Sequence, residues 1–379
     1  MRIMLAPDSF KESLSARAAA DAMAVGIARV DPTIEIDRCP VADGGEGFVS
    51  AFGSADQFHQ HETTVAGPRG QAVEARWATL SEHTALIEMA AASGLERLAE
   101  SQRNPLRTTT LGTGHLIAEA LDRGSQRILV GLGGSASNDG GTGMAQALGV
   151  CFYDSNGLLI PGPMCGGLLA QIARIDIDHV MPNMSGVVIQ AACDVTNPLT
   201  GPSGASAVYG PQKGATPDQV MVLDDGLQHL TRLIREQLDI DVEHIPGAGA
   251  AGGLGAGLIA FAGATLLPGI DLVLDATGFA QRVASCDLCL TGEGRLDAQS
   301  LSGKAVTGVA QTAKQRGVPT IALAGAIEGD TAPLHERELH ACHAISSGHP
   351  IHYAMQHASI LLAEKTESVV RDWIAQRAR

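Results

Sequence analysis

The chain has 379 residues, of which 45% are hydrophobic, 18% charged and 3% aromatic, with a formal net charge of −15. At roughly 100–200 residues per domain, that length predicts about two domains of ordinary globular composition. The acidic balance and the lack of a Lys/Arg-rich run argue against a nucleic-acid partner, which needs a basic face to neutralise phosphates. A few local cations can still hold a small anion. The seven cysteines have no regular spacing, which predicts reduced thiols in a cytoplasmic protein and no disulfide framework. The N-terminus meets Asp8 before any apolar region of signal-peptide length.

RIMLA (2–6) reads as a strand, and Ser15 as the cap of a helix whose stripe is Ala19, Met23, Ile27 and Val30. After Pro32, residues 33–42 return as a second strand. Between 57 and 88 the texture changes to short alternating runs around a GPRG turn, the pattern of an antiparallel hairpin and the start of an inserted domain. Residues 111–124 predict a helix, 126–132 a strand, 140–150 a helix and 186–196 a long buried strand. Residues 216–238 predict an amphipathic helix with Pro217 near its start. The stretch 246–270 is uncharged and carries GxxxG spacing at 249–253. Its Gly/Ala-rich first half gains little from lipid and Pro246 and Pro268 bracket it, so it reads as a buried loop plus helix and not as a membrane span. Strand and helix then alternate through 284–292, 303–317, 318–325 and 340–347, and a long helix covers 352–377. Such continuous apolar runs suit parallel strands buried on both faces.

Polar, glycine-rich segments follow five of these strands: APDSFK (6–11), ADGGEG (42–47), GGSASNDGG (133–141), DVTNPLTG (194–201) and TGEGRLD (291–297). Open α/β sheets bind ligands outside the carboxyl ends of their strands. The segments supply the carboxylates Asp8, Asp43, Glu46, Asp139, Asp194, Glu293 and Asp297, and the cations Lys11 and Arg295; Lys213 and Lys304 lie elsewhere. Phosphoryl transfer needs this combination: a phosphate cradle, a cation, carboxylates for magnesium, and one carboxylate to take a hydroxyl proton. No G-x-x-x-x-G-K-[ST] is present. GAGAAG (247–252) matches a dinucleotide fingerprint with Asp271 at a suitable distance, but Pro246 and the preceding EHI make a poor strand. Gly131, Gly133 and Ala136 fit a variant of that fingerprint without the acidic partner. Cys286 and Cys289 form a CxxC inside an apolar run and read as core thiols. His335, His340, His343, His349 and His352 form no HExxH and read as surface or loop residues.

Several of these stretches are recognisable together. APDSFK (6–11), PVADGGEG (40–47), NPLRTTTLGTG (104–114), GLGGSASNDGGTG (131–143), ACDVTNPLTGPSGA (192–205), GPQKGA (210–215), IPGAGAAGGLG (245–255) and TGEGRLDAQSLSGK (291–304) resemble the type I glycerate kinase family of bacteria, in order along nearly the whole chain. The departures are Glu12, where a glycine is common, and Ser137, where threonine is common. The resemblance implies ATP-dependent, magnesium-assisted phosphorylation of D-glycerate, more often to 2-phosphoglycerate, with the choice of hydroxyl left open. It also implies an α/β fold of two domains: a Rossmann-like parallel-sheet domain from both chain ends (1–60 and 280–379), and a second α/β domain with a mixed sheet inserted at 61–279. The active site is expected in the cleft between them. Partners are then a small-molecule substrate, with no nucleic acid and no membrane, in a monomer or homodimer.

On this reading Gly133, Gly134, Ser135, Ser137 and Asn138 face ATP phosphates near a helix starting around Gly141; the alternative is a turn capped by Asn138 or Asp139. Asp194 is the candidate for the hydroxyl proton, with Asp43 second. Lys11 and Arg295 hold the glycerate carboxylate or the transferring group, since a guanidinium bonds both carboxylate oxygens. Asp8, Ser9, Asn197 and Glu293 complete the substrate contacts, and Asp43 and Glu46 carry magnesium. Lys213 and Lys304 are weaker candidates, because a lone lysine is usually solvated. The competing functions are an NAD-dependent oxidoreductase using GAGAAG and a non-catalytic metabolite-sensing domain.

Overall fold

The first helix begins where its cap places it. The Ser15 hydroxyl accepts the Ala18 N–H at 3.2 Å, and the helix Ala16–Val30 buries Ala19, Met23 and Ile27. This is a computed structural model, and it describes residues 1–45, 47–53, 57–80, 83–296, 305–328 and 339–377. Thirteen strands are present among them: β1 (Arg2–Pro7), β2 (Glu35–Arg38), β3 (Phe58–Ala66), β4 (Ala72–Leu80), β5 (Thr84–Glu88), β6 (Arg127–Gly131), β7 (Cys151–Tyr153), β8 (Arg174–Asp176), β9 (Val188–Ala192), β10 (Thr265–Leu267), β11 (Leu288–Leu296), β12 (Thr320–Ile327) and β13 (Ala341–Ala344). The fold is α/β. Its contacts separate two units, Met1–Asp43 with Ser50–Ala55 and Pro268–Arg379, and Gly44–Val49 with Asp56–Leu267.

The unit built from the chain ends holds a sheet of order β13-β12-β11-β1-β2, parallel throughout. β1 steps one way to β2, and β11 steps the other way to β12 and β13. The order therefore reverses between β1 and β11, where the strand ends leave a crevice. Ile3, Leu5, Leu290 and Leu323 form its core with Met23, Leu362 and Val370 from flanking helices. The helices Ala16–Val30 and Ala358–Arg377 meet at Gly26, where a Cβ would stand 2.3 Å from the Ala363 carbonyl oxygen. The β2 edge is tied in by Asp37, which accepts from Arg2 at 2.8 Å and from Arg282.

The inserted unit holds a mixed sheet of order β10-β9-β6-β5-β4-β3. The first four strands are parallel, and β4 and β3 run antiparallel around the GPRG turn. Trp77, Ile87, Ile117, Ile128, Val130 and Ile189 form one core. A second core gathers Phe152, Phe261 and the stripe Leu227, Leu230 and Ile234 of the helix Pro217–Leu238. That helix starts with a capping box between Thr216 and Gln219.

Three elements are shorter than their sequence pattern. The strand expected over 33–42 is regular only at Glu35–Arg38, because Pro40 has no N–H for the ladder, although Cys39 and Val41 still donate to Leu5 and Pro7. The strand expected over 186–196 stops at Ala192, because its neighbour β10 is only three residues long. The closing helix is two helices, Ile351–Gln356 and Ala358–Arg377, broken at His357. The stretch 246–270 contains the helix Ala250–Ala262 with left-handed backbone at Ala251, Gly252 and Gly253. Among the described residues no helix is long and apolar enough to cross a membrane.

Gly252 presses on the loop that precedes the helix Thr142–Ala147. It has φ +71°, and a Cβ there would lie 2.0 Å from the Ser137 carbonyl oxygen. Gly252→Ala is expected to cost about 3 kcal/mol or more in urea unfolding. Gly263→Ala, at φ +61° with open space around it, should cost only about 1–2 kcal/mol. Equal losses would show that the close approach at Gly252 is unimportant.

Candidate active site

Beyond Pro7 the chain turns through Asp8–Ser13 across the strand ends. The Asp8 N–H donates to the Gly292 carbonyl at 2.8 Å, so this turn is held against β11. A cavity of about 450 Å³ opens there, and Asp8, Ser9, Lys11, Asp43, Glu293 and Arg295 all line it. Those six residues come from the ends of β1, β2 and β11, and each was expected at the site from sequence. Asp8 is 9% exposed, and the Ser9 N–H donates to its Oδ1 at 2.5 Å. Burial, and then the charge of Asp43, push the Asp8 carboxyl up to about 7; Glu293 acts the same way, while the Ser9 N–H and Lys11 oppose. Lys11 is exposed, and Arg295 forms an ion pair with Glu328. Glu12, also in the wall, has φ +63°. That left-handed backbone accounts for the glycine common at this position in the resembling family.

In the inserted unit the loop 131–143 has an outer and an inner half. Gly133 is half-buried, Gly134 is exposed, and Ser135 is 8% exposed. Ser137, Asn138 and Asp139 are wholly buried. Asp139 accepts the Thr110 N–H and hydroxyl at 2.8 Å each, and the N–H groups of Gly141 and Gly143 at 3.1 and 3.3 Å. The N–H groups at the start of the six-residue helix Thr142–Ala147 are therefore capped by Asp139. The capping alternative holds for the inner half of the loop. Asn138 Nδ2 donates to Ser206 Oγ at 3.0 Å, whereas Asn138 Oδ1 and Ser137 Oγ have no hydrogen-bond partner among the described residues.

Lys213 is the residue the sequence most undervalued. It is 1% exposed, and its Nζ donates to Ser135 Oγ and to the Ser137 carbonyl oxygen, each at 2.7 Å. Burial pushes its ammonium down to about 7 against the pull of Asp139. The only sequence signal was its setting in GPQKGA, where Pro211 opens a short turn and Gly214 closes it in a left-handed conformation.

Asp194 is exposed in the coil after β9. Asn197 is engaged by its own loop: Nδ2 donates to the Ser203 carbonyl at 2.8 Å, and Oδ1 accepts from Tyr209 at 2.7 Å. Glu46, Asp297, Lys304 and His335 lie outside the described residues. GAGAAG follows turns and no strand, so it lacks the strand–turn–helix setting that a dinucleotide fingerprint requires. Cys286 and Cys289 are buried free thiols, and burial raises both.

The glycerate kinase family profile matches residues 3–374. The chain belongs to the glycerate kinase family. A glycerate kinase of Halalkalibacterium halodurans is 47% identical, covering 98% of this chain and 98% of its own. The glycerate 2-kinase of Escherichia coli is 46% identical over 91% of this chain and 90% of its own. A crystal structure assigned as glycerate kinase 2 from Salmonella typhimurium LT2 matches with a TM-score of 0.90 and 43% identity over 100% of both chains.

The raised Asp8 carboxyl has a stability consequence. Its folded value near 7 lies above the ordinary 3.8, so its contribution is fully present below about pH 4 and is lost as pH rises through 7. Asp8→Asn should therefore stabilise the metal-free protein at pH 8, by up to about 4 kcal/mol, and leave it near wild type at pH 4. Thermal melts at both pH values test this; a gap independent of pH would mean that Asp8 titrates normally.

Proposed function

We propose that the protein transfers the γ-phosphoryl group of ATP to the 2-hydroxyl of D-glycerate, giving 2-phosphoglycerate and ADP. The observation that carries this reading is the convergence of Asp8, Asp43 and Glu293 with Lys11 and Arg295 at the carboxyl ends of β1, β2 and β11. Family membership supports the acceptor, and the name of the Escherichia coli relative supports the 2-position.

In the transfer, the hydroxyl oxygen bonds to the γ-phosphorus as the bond from phosphorus to the β–γ bridging oxygen breaks. The hydroxyl proton passes to a carboxylate. We assign that role to Asp8, ahead of the exposed Asp194, because Asp8 is buried and oriented by the Ser9 N–H. Lys11 and Arg295 offset the charge on the phosphoryl oxygens. Within the inserted unit, the Ser135 hydroxyl is free to donate to an anion, because Lys213 donates to its oxygen.

Among the described residues, no group of three or more His, Cys, Asp or Glu side chains is placed to hold a metal ion by itself. Magnesium asks for less: one or two carboxylates, substrate phosphates and its own waters. The wall fits that need, since Asp43 and Glu293 both raise Asp8 and the cluster is short of positive charge. Asp43 and Glu293 would hold the ion, which would neutralise charge on the transferring group.

The test is an ADP-release assay with D-glycerate, followed by NMR of the product. ADP release with phosphorus coupled to the C2 proton is expected. No D-glycerate-dependent release would overturn the reading, and coupling at C3 would overturn the regiochemistry. Asp8→Asn should lower kcat by about 10²–10⁴ with ADP affinity kept, and Asp194→Asn by less than about tenfold. The reverse order would move the proton acceptor to Asp194.

A further inference from the structure

The cavity at the strand ends is divided by polarity along the sheet. Its polar wall comes from the β1, β2 and β11 side. At the other end stand Ile345, just beyond β13, and Ile351, Ala354, Met355 and Ala358 from the two closing helices, with Phe10 completing the apolar lining. Between the two ends Gly294 and Gly325 contribute bare backbone. A Cβ at Gly325 would stand 2.3 Å from the Gly294 carbonyl oxygen, so among the described residues no side chain at these two positions partitions the cavity.

D-glycerate cannot use this whole space. It is a three-carbon acid with a polar group on every carbon, and polar groups set against apolar walls lose solvation without compensation. From β13 to β1 is three strand spacings, or about 14 Å. That is the reach of an extended nucleotide. The volume also falls within the roughly 300–1,000 Å³ of sites that enclose ligands larger than a three-carbon acid.

We infer that the apolar end binds the base and ribose of a purine nucleoside triphosphate, with its phosphates crossing Gly325 and Gly294 toward Lys11 and Arg295. The inference rests on reading the polar end as the phosphoryl-transfer site. A purine has large flat faces that gain from contact with Ile345, Ile351 and the polarisable Met355 thioether. The carboxylates at the polar end would repel a bare triphosphate, so the nucleotide should enter as its magnesium complex.

The test is calorimetric titration of Mg·ADP into the wild type and into Met355→Trp, alongside the KM for D-glycerate. Met355 is half-buried at the cavity wall, and indole at this position fills the apolar end. Met355→Trp should weaken ADP at least about tenfold while the D-glycerate KM stays within about twofold. Ile351→Ser, at a side chain 61% exposed, gives a second probe that spares the core and should weaken ADP about threefold. Wild-type ADP affinity in both variants would overturn the inference. A raised D-glycerate KM with unchanged ADP binding would place the acceptor there and overturn it equally. ADP binding that Met355→Trp weakens, in an enzyme that does not phosphorylate D-glycerate, would keep the nucleotide site and reject the acceptor.

Discussion

The parallel pairing of β1 with β11 is the contact on which the candidate site depends. It sets Ile3 beside Leu288 and Pro7 beside Gly292, and it joins positions 285 residues apart. The Thr291 hydroxyl donates to the Ala6 carbonyl at 2.8 Å, and the Asp8 N–H to the Gly292 carbonyl at 2.8 Å. Those bonds carry the ladder to the strand ends, where Asp8 and Glu293 emerge together. Closing so long a loop costs only slowly more with length, so a large insertion is tolerated between two central strands. The pairing also places the reversal of strand order between β1 and β11, which opens the crevice.

Both units place an ionisable group where burial disfavours its charge. Asp8 is raised in one, and Lys213 is lowered in the other. A buried charge that structure alone required would be matched by close partners. Asp139 is so matched, with four donors from two segments, and its work is to hold the loop 131–143 against the helix Leu111–Asp122. Among the described residues Asp8 has one N–H donor, from Ser9, and carboxylate neighbours that oppose its ionisation. That imbalance disfavours the ionised carboxylate and costs stability at high pH, and it is the reason Asp8 is the proposed proton acceptor.

Local patterns are legible in the sequence where short-range physics decides them. The Ser15 cap, the Thr216–Gln219 box and the hairpin of β3 and β4 depend on neighbours a few residues away. Elements whose length differs from their sequence pattern depend on partners far along the chain, as β9 does on the three-residue β10. The site divides in the same way. Asp8, Asp43, Glu293 and Arg295 were legible because polar residues at the ends of apolar strands point to one sheet edge. The apolar wall from Ile345 to Ala358 was not, since such residues look the same in a core and in a ligand pocket.

By itself, the sequence determined the α/β class, the strand ends that carry polar chemistry and the family to which the chain belongs. These follow from period, turn residues and motif order, all of which are written along the chain. Only the tertiary structure decided which polar residues line a cavity and which are sealed inside. Ser135 and Ser137 stand two positions apart in one motif, yet only Ser135 retains surface. Lys213 reads as a solvated surface charge until the fold buries it beneath Ser135. Burial is a property of what other segments cover, and no local pattern encodes the cover.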